Sequence, residues 1–184
     1  MPLFKRSDSP WPDRLSQSEE RKRDALNQEV AEAAGASALT TLEAENERLL
    51  KRKAAEEPTE FLWPCLLGWQ YLRQAVLDPE AGNFEAALSA LRDASSRNPG
   101  DPRGPYAVAT VYYTAATQAR LPDGRWTEGE ISLGMSLTQL YQNALREFRK
   151  ALELTERGKD RRLVQPSIDA IELALAGRQS RGRA

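Results

Sequence analysis

Cys65, in the segment LWPCLLGW, is the one thiol among 184 residues, and no histidine occurs anywhere in the chain. A cysteine attacks as the thiolate, which needs a neighbouring cation or histidine to hold its charge. The groups beside Cys65 are large and apolar, so it reads as a small core residue. The lack of histidine also removes Ser-His and Cys-His pairs, the usual zinc sites and the commonest general base. Asp and Glu number 27, and two carboxylates at a suitable separation can do acid–base work. No spacing sets one pair apart, so solvated helix faces account for them better. PGDPRG and LPDGR preset turns with proline and glycine and lack the spacing that cradles a phosphate. The sequence therefore predicts no catalytic residue, no metal and no cofactor. Its work is expected to be done by surfaces.

Helices must position those surfaces. Val and Ile are scarce beside Ala, Leu, Glu and Arg, a composition that favours helix over sheet. The formal net charge of −1 sets up no global field toward nucleic acid or membrane. No run of 18 apolar residues exists, so no transmembrane helix is expected. The opening MPLFKRSDSPWPDR lacks the apolar stretch of a signal peptide, and a lone cysteine suits a reducing compartment. These features point to a cytoplasmic protein. Arginine outnumbers lysine and alanine is abundant, a bias associated with GC-rich bacterial genes.

The segment YQNALREFRKALEL places Tyr141, Ala144, Phe148 and Ala151 on one side of a helix. Small residues there admit a neighbouring helix while the rings fill the gaps beside it. GNFEAALSALRDASSRNP repeats the pattern with Phe84, Ala87, Leu91 and Ala94, between Gly82 and Pro99. Upstream, WPCLLGWQYL supplies Leu67 and Gly68 followed by Tyr71, with Trp63 one place from the expected aromatic. This pattern resembles the tetratricopeptide repeat family, whose two-helix units read W-x2-L-G-x2-Y, then A-x3-F, then P. The resemblance covers about residues 61–157, with units at 61–99 and 102–157. The first unit is about seven residues long for the family between Gly68 and Gly82. The second has Ala109 before Tyr112 and an insertion containing RLPDGRWTEGE. The resemblance implies an all-α array of helical hairpins; a generic hairpin array is the alternative.

Punctuation divides the chain into a flexible or extended arm (1–15), a long charged helix (16–57), a hairpin domain (58–177) and a basic disordered tail (178–184). Ser16 and Glu19 have capping-box spacing, Gly35 weakens or kinks the long helix, and Pro58 ends it. Within the domain, helices are expected at about 60–77, 83–97, 103–119, 128–157 and 166–177. Asp101 is the expected N-cap before Pro102, and Thr127 with Glu130 has capping-box spacing. The last helix, starting at Pro166, should cap the array with Ile168, Ile171, Leu173 and Leu175. In the long helix, Leu39, Leu42, Asn46, Leu49 and Lys53 form a short heptad seam. It can pack on the chain's own repeats or on a partner. The apolar burden of the first repeat inclines the reading to self-cover, with the extreme N-terminus reaching outward.

In tetratricopeptide proteins the first helix of each hairpin lines the concave face. The resemblance thus implies a partner-binding groove of Arg103, Tyr106, Thr110, Tyr113 and Thr117, with Trp69 and Arg73 from the first repeat. Leu62, Cys65 and Leu72 share that first-repeat side and need cover from the N-terminal helix or a partner. Interior packing is the competing account of all these residues. The expected function is a non-catalytic protein–protein interaction scaffold. Two alternatives stay open. One is an accessory subunit of a large assembly, anchored by the N-terminal arm and helix. The other is a nucleic-acid-associated factor using the basic tail, with no membrane insertion in any case.

Overall fold

The computed structural model of the protein describes residues 15–34, 39–78, 83–118, 130–155 and 158–181. Residues 1–14 of the expected arm, Gly35, the turn residues 79–82, Thr127 and tail residues 182–184 lie outside the described residues. The chain forms α1 (Gln17–Ala34), α2 (Leu39–Glu56), α3 (Leu62–Leu77), α4 (Asn83–Arg97) and α5 (Arg103–Gln118). A short hairpin of β1 (Glu130–Ser132) and β2 (Met135–Ser136) follows, then α6 (Leu137–Leu154) and α7 (Gly158–Arg181). Apart from that hairpin, every described element is helical.

Local sequence chemistry sets most helix ends. Ser16 and Glu19 form the expected capping box, with Glu19 N–H donating to Ser16 Oγ and Ser16 N–H to Glu19 Oε2. Asp101 caps α5 by accepting from the Arg103 N–H at 2.9 Å. Pro64 and Pro105 each fall in the first turn of a helix, α3 and α5, where a missing N–H leaves no intrahelical bond unmade.

The helices stack as successive hairpins, α1–α2, α3–α4 and α5–α6, with α7 packed on α6. The long helix expected over 16–57 is instead two helices. Glu29 of α1 pairs with Arg52 and Lys53 of α2, while Lys22 reaches Glu57 beyond the end of α2, so the two run antiparallel. Folding back buries Leu26 and Val30 of α1 with Leu49 and Leu50 of α2. A continuous helix would leave this thin apolar line in water. The hairpin then covers α3, so the first repeat is closed by its own chain.

Small residues set the inner spacing. A Cβ on Gly68 would collide with Leu91 of α4, and one on Gly104 would sit 2.9 Å from the Ser95 Cα. The two ring-and-alanine stripes are buried as expected: Phe84, Ala87, Leu91 and Ala94 on α4, and Tyr141, Ala144, Phe148 and Ala151 on α6. Each fully buried ring stabilises the fold by about 1.5–3 kcal/mol.

Three expected boundaries move. The helix placed at 128–157 begins only at Leu137, because Glu130 pairs with Ser136 in the β-hairpin, across a turn where Leu133 and Gly134 both take positive φ. Its capping box is Ser136 with Gln139, not Thr127 with Glu130. The final helix starts at Gly158, leaving Pro166 in its interior. Val164, fully buried one turn before Ile168, extends the packed face upstream and offsets the lost hydrogen bond. Leu173 is 76% exposed, about 200° around the helix from Ile171, and so does not join the capping face. Residues 178–181, assigned to a disordered tail, continue α7.

Candidate interaction surface

The parallel first helices of the two inner hairpins hold most of the expected groove. Their common direction is fixed at both ends: Arg103 at the start of α5 lies over the Phe61 ring before α3, and Gln118 at its end donates to the Val76 carbonyl.

On α5 the five expected residues separate into three environments. Arg103 is held by Asp101 and, 2.9 Å away, by Glu19 of α1, with its side chain 16% exposed. Burial disfavours its charge, but the two carboxylates outweigh that and raise its pKa. Tyr106 is buried edge-on to Phe148, and half-buried Tyr113 packs on Tyr141 and Phe148. These rings fill the α5–α6 hairpin rather than line an open groove. Thr110 is half-buried and donates to the Tyr106 carbonyl; Thr117 is exposed and donates to the Thr114 carbonyl.

Trp69 and Arg73 lie elsewhere, in a crevice of about 290 Å³ between α1, α2 and α3. There they meet Asn46 from the heptad seam, together with Arg23, Leu26 and Asn27 of α1 and Leu50 of α2. Asn46 Nδ2 donates to Gln70 Oε1 at 2.6 Å, and Gln70 Nε2 donates to the Glu43 carbonyl at 2.8 Å. The seam is therefore turned into the chain's own core, with Leu49 buried, Leu42 packed against the cluster and Lys53 on Glu29. Leu39 lies in the first turn of α2. Cys65 is buried on α3, and that burial pushes its thiol pKa up to about 12.

Several fasteners carry no sequence signal. Arg97 of α4 donates to the carbonyls of Ala54, Glu57 and Glu60, tying down the α2–α3 connection. Lys22 reaches Glu57 and Glu60 and lies 5.9 Å from the Trp63 ring centroid. Burial opposes ionisation of Glu19, but Arg103 and the Ser16 N–H outweigh it and hold its carboxyl below the ordinary value.

No protein-family model matches the chain, and no curated protein matches its sequence. Among the described residues no helix is long and apolar enough to cross a membrane.

Proposed function

We propose that the chain is a non-catalytic protein–protein interaction scaffold, a tetratricopeptide-like array working in a bacterial cytoplasm. The observation that carries this reading is the parallel course of α3 and α5, the first helices of consecutive hairpins. Such arrays present the first helices as one extended surface. On α5 the accessible part of that surface is Thr110, Thr117 and the exposed portion of Tyr113, a mixture of hydroxyl and ring suited to a wet interface, and α3 adds exposed Arg73. The binding patch is thus narrower than the sequence suggests, since Arg103 and Tyr106 are committed to internal partners.

The test is affinity purification from the native source with the wild-type chain and Thr110→Arg/Thr117→Arg. The scaffold reading expects a defined set of proteins retained by wild type and lost with the variant, while the melting midpoint stays the same. Identical retention by both chains sinks the surface assignment. Recovery of nucleic acid with a steep loss on raising salt favours the nucleic-acid alternative, because phosphate contacts weaken with released counterions.

A further inference from the structure

The crevice between α1, α2 and α3 has a polarity that packing alone does not require. Its floor is Leu26 and Leu50, each almost fully buried, and the Trp69 side chain forms part of a wall. Polar groups converge above that floor, and their orientations are fixed by what they already bind. The Glu43 carbonyl can only accept, so Gln70 must direct its NH2 there and its oxygen toward Asn46. Asn46 must then spend its own NH2 on Gln70. This leaves the Asn46 carbonyl oxygen as the acceptor available to the crevice.

Two guanidiniums line the same space from opposite helices, Arg23 of α1 and Arg73 of α3. Their present partners are surface carboxylates: Asp24, the sequence neighbour of Arg23, and Glu43 at 2.8 Å from Arg73. Arg23 and Arg73 are 40% and 58% exposed, so these pairs are weak and an incoming anion can compete with them.

We propose that the crevice binds a small apolar carboxylate carrying a hydrogen-bond donor next to its acid group. The carboxylate sits between Arg23 and Arg73, the adjacent donor meets the Asn46 carbonyl, and the apolar body rests on Leu26, Leu50 and Trp69. A volume of about 290 Å³ lies at the small end of ligand clefts, so the occupant is the size of one or two residues. A free 2-hydroxy acid and the C-terminal residue of a protein chain share this chemistry. The inference stands whether or not the scaffold reading does.

The full chain, labelled with nitrogen-15, is titrated with 2-hydroxy-4-methylpentanoate, acetyl-Gly-Leu and acetyl-Gly-Leu-amide. The readouts are the Trp69 indole signal, assigned with Trp69→Phe, and the Asn46 and Gln70 side-chain amides. Saturable shifts are expected with one or both acids. The amide should bind about tenfold more weakly, as should both acids to Arg23→Gln/Arg73→Gln, because charge-assisted hydrogen bonds are lost. 4-Methylpentanoate, which lacks the donor, should bind about fivefold more weakly than its hydroxy form. Stronger binding of the hydroxy acid identifies a free small acid as the ligand class; stronger binding of acetyl-Gly-Leu identifies a chain terminus. Absence of saturable shifts with both acids overturns the site. So does equal affinity for the amide, or undiminished binding by the double variant when its spectrum shows it folded.

Discussion

The outer hairpin, α1–α2, and the inner hairpins, α3 to α6, are held by different forces. The inner helices approach through Gly68, Gly104 and the alanines of two stripes, so their contacts are close and apolar. The outer hairpin contributes Leu26, Val30, Leu49 and Leu50, the Asn46–Gln70 amide bond, and a larger share of charge: Glu19–Arg103, Lys22 with Glu57 and Glu60, and Arg52 and Lys53 with Glu29. It also leaves the crevice unfilled. Close packing responds to added volume, whereas charge responds to pH and to lost partners. The two parts should therefore fail under different insults.

The largest effect should come from removing the outer hairpin altogether. A chain of residues 58–184 would expose Trp63 and Leu62, and should bind apolar dyes and aggregate. Adding the 1–57 peptide in trans should reverse both changes. If 58–184 instead stays monomeric and melts like the full chain, the outer hairpin contributes nothing and the comparison fails.

Within the inner hairpins, Gly104→Ala should destabilise by about 1–3 kcal/mol, because the new methyl meets the α4 backbone at Ser95. Ala144→Leu should fall in the same range. Gly100→Ala, with nothing within 4 Å, should stay within about 0.5 kcal/mol. Calorimetric midpoints decide this, and equal effects at Gly100 and Gly104 would contradict close approach of α4 and α5.

Arg97→Met keeps an unbranched apolar stem but strips three carbonyls of their donor, for an expected loss of about 1–2 kcal/mol. Hydrogen exchange should accelerate around residues 54–62 before it does in α6. Uniform acceleration would mean that Arg97 acts on the whole fold rather than on the seam between outer and inner hairpins.

The smallest effect concerns Glu19. Its folded pKa is depressed below the ordinary 4.5, so its contribution is present above that value and disappears as pH falls through the lower folded value. The stability gap between wild type and Glu19→Gln should be present near neutrality and close as the pH is lowered from above 4.5 through the depressed folded value. A gap that persists into acid would show that the side chain matters for shape rather than charge.

Sequence periodicity revealed the inner hairpins because their stripes are dense: the buried positions of α4 and α6 are all rings, leucines or alanines. It missed the turn between α1 and α2 because apolar residues there are sparse, and the charged pairs that close the hairpin have no sequence period. Ser136 with Gln139 has the same spacing as Thr127 with Glu130, and spacing alone does not say which of the two starts α6. On α5, spacing put Tyr106 and Thr110 on one side, but not which neighbour that side would meet. Phe148 lies 42 positions downstream of Tyr106, and its contact follows only from how α6 docks. The crevice arises from a mismatch between two hairpins, which no single helix encodes.

Connection lengths carry a kinetic consequence. Five residues separate α3 from α4 and another five separate α4 from α5, whereas 18 lie between α5 and α6. Closing the longer loop costs about 1 kcal/mol more in chain entropy. Contacts between sequence neighbours favour rapid assembly overall, so α3, α4 and α5 should zip first. The β-hairpin at 130–136 shortens the effective span that α6 must then close. Leu133 has to enter a left-handed conformation for that hairpin to form, which makes its turn a natural gate on the docking of α6.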